Sequence, residues 1–268
     1  EDYPEGLDFA ALGHDLAPVL ERFMALGGAV VVCNQERASE DFLPGTGFMD
    51  AELAGVAATA ACEVVDPQDP LCRHVSPQFS GPASTAWYRV AGPGVRTAVR
   101  RGDAAVAAVR EIGFGWVVLL GFDFFQRNID TSHLLVNAVL PPFVRDGVRF
   151  FAPDGPRRLR PDETLLLKWA QKGVAADRSV LRWNLDGSAA DFPYALPVVL
   201  DAGIGAYAWM PPPVGAGEYH ACRFKVEPEG SPDLADTLPF TVHVSLPLAI
   251  GPAALPELSL GLPYDTPA

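Results

Sequence analysis

The sequence predicts an α/β region followed by an all-β sandwich, and three observations carry that reading. Residues 113–140 read GFGWVVLLGFDFFQRNIDTSHLLVNAVL. In that stretch a glycine-bounded apolar run, Trp116 to Leu120, breaks at Gly121 and gives way to Phe122-Asp123, a polar bend and a helix-like segment. Second, residues 14–33 run from a helical period through Gly27-Gly28 into a short apolar strand. Third, beyond Thr164 the apolar segments are short and separated by turn residues, with no convincing helix.

Taken in order, HDLAPVLERFMAL at 14–26 spaces Leu16, Val19, Leu20, Phe23, Met24 and Leu26 with a helical period. Gly27-Gly28 stops that helix. Ala29 to Cys33 is a buried strand, and Asn34-Gln35-Glu36-Arg37 marks its exit. A loop-rich region follows from about 38 to 82, with a short helix expected near 49–58 and a strand near 62–65. Pro67, Pro70, Pro77 and Pro82 discourage longer regular structure there. Ala86 to Val90, Val95 to Arg100 and Ala104 to Val109 are strand candidates separated by Gly-Pro-Gly and Arg-Gly-Asp turns, read as a meander at one side of the sheet. Trp116 to Leu120 is a buried strand whose end carries Asp123 to the carboxyl edge, where open α/β sheets bind ligands. Pro141-Pro142 ends the helix after it.

Residues 141–162 contain Pro-Pro, Pro-Asp-Gly-Pro and Arg-Pro, so the boundary is placed there. The expected division is an α/β domain over 1–145, a sandwich over 146–246, and a tail or added edge strand over 247–268. Strands are expected around 165–169, 179–183, 198–200, 206–209, 219–226 and 240–244.

The formal net charge of −13 argues against a nucleic-acid binder, which needs clustered Lys and Arg, and against adhesion to anionic membranes. No apolar run approaches the ~20 residues of a membrane span. Four cysteines are too few for a disulfide scaffold. Cys62 and Cys72 flank a loop with two prolines, and two readings stand. A bond closing that loop would stabilise by about 2–3 kcal/mol and imply an oxidising compartment; otherwise they are two unrelated buried thiols. No Cys or His set has metal-ligand spacing, so neither a metal nor a cofactor is expected.

The pattern Gly113-x-Gly115-x-Val-Val-x-x-Gly121-x-Asp123, the helix–Gly-Gly–strand–Cys order at 16–33 and the closing Leu134-Leu135-x-Asn137-Ala138 resemble class I glutamine-amidotransferase-like domains. The likeness is to the C-terminal portion of the trehalose-utilisation-type branch, over about residues 8–142. It implies a partial flavodoxin-like sheet with flanking helices. In the second half, Arg149-Phe-Phe-Ala-Pro153, Leu-Lys-Trp169, Val180-Leu-Arg-Trp183, Tyr207-Ala-Trp209 and Gly217-Glu-Tyr219 resemble the immunoglobulin-like, fibronectin-III-like sandwich of KNH-type cell-wall proteins. That likeness implies an extracellular or periplasmic setting.

A complete doubly wound domain of the first kind places two or more β-α units before its Gly-Gly strand. A parallel sheet needs both faces covered. The expectation is therefore that this chain is a fragment of a longer polypeptide, or that a protein partner, a separate N-terminal piece or a symmetry mate completes the sheet.

Cys33 stands where amidotransferase-like enzymes carry their nucleophile, but Asn34, Gln35 and Glu36 follow where the family uses glycine. No late histidine partner follows, and only His74 and His133 are placed to approach Cys33. The candidate catalytic set is thus Cys33, His74 and Asp123, set against a packed thiol, a packed His133 and an Asp123 that caps a helix or binds a turn. Glu36, Glu40 and Asp41 form an acidic cluster near the same edge, which a solvated loop also explains. Trp169, Trp183, Tyr207, Trp209 and Tyr219 are candidates for a carbohydrate-stacking face, with core packing the competing role. Asp186, Asp233 and Asp236 are turn residues before they are calcium ligands. The departures around Cys33 favour a non-catalytic accessory or binding protein over a hydrolase or amidotransferase-type enzyme.

Overall fold

The computed structural model describes residues 7–33, 40–124, 126–140, 145–187, 190–238 and 241–246. The chain is mostly β, in several sheets.

Helix α1 spans Phe9–Ala25, one turn longer at its start than its apolar spacing marks, because Asp8 caps it by accepting from the Ala11 amide at 2.9 Å. Of its apolar stripe, Leu20 and Met24 pack inward, while Leu16, Val19 and Phe23 remain in solvent. Strand β1 (Ala29–Cys33) follows, then the single turn α2 (Phe42–Thr46). Where a short helix was expected near 49–58, the chain forms strand β2 (Asp50–Ala57). Its residues alternate partly between sheltered and exposed, and it pairs along its length with β5 (Thr85–Ala91), so cross-strand pairing overrides a weak helical preference. Between them lie β3 (Ala61–Val64) and β4 (Gln78–Ser80). The meander β6 (Arg96–Arg101) and β7 (Ala104–Ile112) leads to β8 (Gly115–Leu120), all of whose residues are buried, and then to α3 (Ile129–Val139).

These strands make one mixed eight-stranded sheet in the order β1-β8-β7-β6-β3-β4, with β2 and β5 joined through β7. Only β1 and β8 run parallel within it, in a register that sets Cys33 opposite Leu120. The sheet, expected to be a partial flavodoxin-like one, has one parallel pair among the described strands, and the meander supplies antiparallel pairing elsewhere. Helix α1 covers the face carrying Val30, Val32, Val117 and Leu119. Helix α3 covers the opposite face, with Leu134 and Ala138 against Trp116, Val118 and Leu120. Strand β1 ends the sheet, and its outer edge has no strand partner among the described residues.

From residue 147 the described regular structure is strands and one 3-10 turn. They are β9 (Gly147–Ala152), β10 (Arg157–Leu159), β11 (Leu165–Lys172), β12 (Arg178–Asn184), β13 (Tyr194–Val199), β14 (Ile204–Trp209), β15 (His220–Pro228), β16 (Asp236–Thr237) and β17 (Val242–Val244). They form a three-stranded sheet, β14-β11-β9, and a six-stranded sheet, β10-β17-β15-β12-β13 with β16 beside β15. Leu165, Leu167 and Trp169 from the first share a core with Leu181, Phe224 and Val226 from the second. Trp209 meets Phe224 edge to face at 4.9 Å.

The two halves also share material. Phe151 and Ala170 pack in the same cluster as Met24, Ala25 and Phe114. Glu21 bonds Lys168 at 2.7 Å, and Arg22 bonds Asp201 at 2.8 Å. Arg110 pairs with Asp154, whose carboxyl burial nonetheless pushes above its ordinary range.

Candidate functional site

The parallel register of β1 and β8 brings the carboxyl ends of both strands to one edge of the sheet. Cys33 leaves β1 there, and Asp123 follows β8 three residues after Leu120. Gly121 sets the chain's path between them. A β carbon at Gly121 would stand 2.0 Å from the Ala86 carbonyl oxygen, and its amide bonds the Val106 oxygen at 2.7 Å. Phe122 is then buried against Phe79 and Phe124, which anchors the exit of β8 and leaves Asp123 half-buried.

The Cys33 thiol is exposed and has no hydrogen-bond or ion-pair partner among the described residues. Desolvation pushes its pKa up, and no cation among the described residues acts against that shift. An activated thiolate needs the reverse, a neighbouring positive charge or amide donors that lower the pKa. Asn34, Gln35 and Glu36, the turn that would form such donors, lie outside the described residues.

His74 takes no part in that edge. It lies just beyond a 3-10 turn at Pro70–Cys72, with φ of 63°, and its backbone oxygen is 2.7 Å from His133 Nδ1. A carbonyl only accepts, so Nδ1 of His133 carries the proton and donates. The two rings are 6.1 Å apart, edge to face. Asn137 bonds the oxygens of Leu71 and Arg73 at 2.9 and 2.8 Å, so this loop is fastened to the flank of α3.

Asp123 does not cap α3. That role belongs to Asn128, which accepts from the Thr131 amide at 2.9 Å while Thr131 Oγ1 accepts from the Asn128 amide at 3.1 Å. The reciprocal pattern was readable as Asn-x-x-Thr. Glu40 and Asp41 lead into α2, which packs on the start of α1, and Glu36 lies outside the described residues. Cys62 and Cys72 are free buried thiols, bonded to the oxygens of Ala60 and Ala98, and desolvation raises them to about 11 and about 12.

Among the aromatic candidates, Trp169 and Trp209 are core. Trp183 and Tyr207 line a cleft of about 450 Å³ with Tyr194 and Met210, and Trp183 stacks on Tyr194 at 5.6 Å. Tyr194 was not singled out from sequence; its register opposite Trp183 was the missing signal. Tyr219 stacks on His243 elsewhere. Asp236 accepts from the Phe150 amide at 2.8 Å and so ties down β9. No group of three metal-binding side chains occurs among the described residues.

A cleft of about 570 Å³ lies farther along the same sheet edge. The antiparallel registers carry the β6–β7 turn, the start of β3 and the end of β4 to the side where β8 ends. Arg100, Arg101, Glu63, Gln78, Phe79 and Ser80 line it. None of these was predicted as a site, because the two arginines read as turn-flanking charges.

No family model matches the chain, and no curated protein does. Several solved structures are similar in part. A ThuA-like protein from Bacteroides uniformis is 15% identical, with a TM-score of 0.35, over 46% of this chain and 61% of that one. A cytoplasmic protein from Salmonella typhimurium is 11% identical, with a TM-score of 0.37, over 47% and 60%. An engineered protein is 10% identical, with a TM-score of 0.27, over 38% and 20%. The chain thus spans about three-fifths of the length of the first of these structures.

Proposed function

We propose that this chain is a non-catalytic binding protein, a degenerate amidotransferase-like scaffold joined to an immunoglobulin-like sandwich. The observation that carries the reading is the state of Cys33. Among the described residues the residue in the nucleophile's place has neither a base nor a cation beside it, and desolvation shifts its pKa up. His74, the histidine proposed to activate it, is engaged with His133 on the flank of α3.

The partner is a further β-strand, from another protein or another stretch of polypeptide, added along β1. Support comes from that strand's open edge among the described residues and from the helices flanking it. Val19 and Phe23 on α1, and Val136 and Val139 on α3, are all more than half exposed. A parallel edge with apolar helices on both faces is built to be continued. A carbohydrate suits the Trp183–Tyr194–Tyr207 cleft, where ring faces and a hydroxyl stand together. The setting is extracellular or periplasmic, as the sandwich resemblance implies.

An enzyme of hydrolase or amidotransferase type, using Cys33 or Asp123, is the second reading. What favours it is that the β1–β8 register gathers both residues on one edge. Iodoacetamide alkylation at pH 7 separates the two. Cys33 should react no faster than free cysteine; a rate tenfold or more above it establishes an activated thiolate and removes the non-catalytic reading.

A further inference from the structure

Among the described residues, buried guanidinium nitrogens without a hydrogen-bond partner occur in Arg96, Arg101, Arg110 and Arg149. Three of them are neutralised by carboxylates. Arg96 pairs with Asp69 and Glu111, Arg110 with Asp154, and Arg149 with Glu111. Arg101 differs. It has no carboxylate within ion-pair distance among the described residues. Its guanidinium instead lies over the indole of Trp87, 3.8 Å from the ring centroid.

That position is preorganised. Stacking on the indole fixes the plane of the guanidinium; with Nη1 buried, the Nε–Nη2 edge and its three N–H donors remain for a ligand. Arg101 lines the 570 Å³ cleft. The neighbouring Arg100 does not compete for the same ligand, because Glu63 holds it at 3.0 and 3.1 Å in a two-point pair. The cleft therefore keeps one uncompensated positive charge in a chain whose formal net charge is −13. Its other donors and acceptors are neutral: the Gln78 amide and the hydroxyls of Ser80 and Thr59, beside the flat apolar wall of Phe79.

We infer that this cleft is a binding site for a small hydroxylated carboxylate, held by a two-point bond from its carboxylate to Arg101, with its hydroxyls facing Gln78 and Ser80. A planar carboxylate matches a planar guanidinium edge, and a charge-assisted pair of this kind is stronger and more directional than a neutral bond. The room suits a six- or seven-carbon acid and excludes a large polymer from full burial. The site stands apart from Cys33, so it survives or fails independently of how that thiol reacts.

Calorimetric titration of the chain with gluconate, with sorbitol as its uncharged counterpart and inorganic phosphate as a second anion, tests the assignment. Gluconate should bind saturably, and sorbitol should bind at least tenfold more weakly. Arg101→Met should lower gluconate affinity tenfold or more. Because losing the Trp87 stack threatens folding at that position, Gln78→Glu provides the second variant. It adds a negative charge at an exposed position of the cleft, and it should weaken gluconate at least fivefold while the thermal midpoint stays that of the parent. No gluconate binding, equal binding to parent and Gln78→Glu, or phosphate binding tighter than gluconate would each overturn the assignment.

Discussion

The Trp116 indole donates its hydrogen bond to the backbone oxygen of Ala138 over 2.8 Å. One residue lies on β8, the buried strand leading to the candidate edge, and the other in the last turn of α3. The bond fixes the far end of the helix to the strand while Asn128, at the near end, donates to the Ser80 oxygen at 2.7 Å. Helix α3 is thus held to the sheet at both ends.

Trp116→Phe removes the donor, strands a buried carbonyl and leaves a void. The expected loss is about 2–4 kcal/mol of unfolding free energy, from the combined cost of an unmet acceptor and a cavity. Urea denaturation checks it; a change under 0.5 kcal/mol would show that α3 does not depend on this bond.

Gly121→Ala should be worse tolerated than its small size suggests. The added carbon meets the backbone oxygen of Ala86 at 2.0 Å, and backbone cannot swing aside as a side chain does. A loss of about 2 kcal/mol or more is expected from this overpacking. Gly102→Ala serves as the contrast for space, since nothing stands within 4 Å of its added carbon. Its positive φ of 59° still costs about 1 kcal/mol.

Thiol counting distinguishes the two readings of Cys62 and Cys72. In the native chain a maleimide should label the exposed Cys33 and leave Cys62, Cys72 and Cys222 unreacted, since all three are buried and raised to about 11, 12 and 11. In denaturant without reductant all four should label. Two labels in denaturant would mean that Cys62 and Cys72 are bonded.

Glu227 gives a pH signature. Burial pulls its carboxyl upward, but bonds from Arg182 at 2.6 Å and Lys225 at 3.0 Å outweigh that, and the folded pKa falls below the ordinary 4.5. A depressed carboxyl stabilises the fold above its unfolded pKa and loses that contribution as pH drops through the folded value. Stability should therefore be level above about pH 5.5 and decline as the medium is acidified below pH 4.5. Glu227→Gln should flatten part of that decline, and thermal melts from pH 3 to 7 measure it. An unchanged slope would mean that the carboxylate gains nothing from its two cations.

Much of the architecture was written in the chain. The β1 segment and the Trp116–Leu120 strand were legible because glycines bound runs of β-branched residues, and α3 because its apolar spacing survives a Pro-Pro stop. Strand β2 was not legible, since DAELAGVA alternates weakly and its identity depends on Thr85–Ala91 lying beside it. The sequence reading placed Cys33 and Asp123 at strand ends without pairing the two strands; their parallel register, and the antiparallel rest of the sheet, are matters of long-range pairing that local pattern does not encode. The candidate residues divide the same way. Cys33 and Asp123 were found from their place at strand ends. Arg101 was invisible because its proposed role rests on Trp87, fourteen positions earlier, and on the want of a paired carboxylate among the described residues.

Phe151 and Ala170 share a cluster with Met24, although the sequence changes grammar between them. Anyone trimming this polypeptide at residue 140 for expression would uncover Met24, Ala25 and Phe114 and deprive Glu21, Arg22 and Arg110 of their countercharges. The shortened product should turn sticky and salt-sensitive, so a usable excision must carry β9, β11 and β14 with it or substitute polar side chains where they rested.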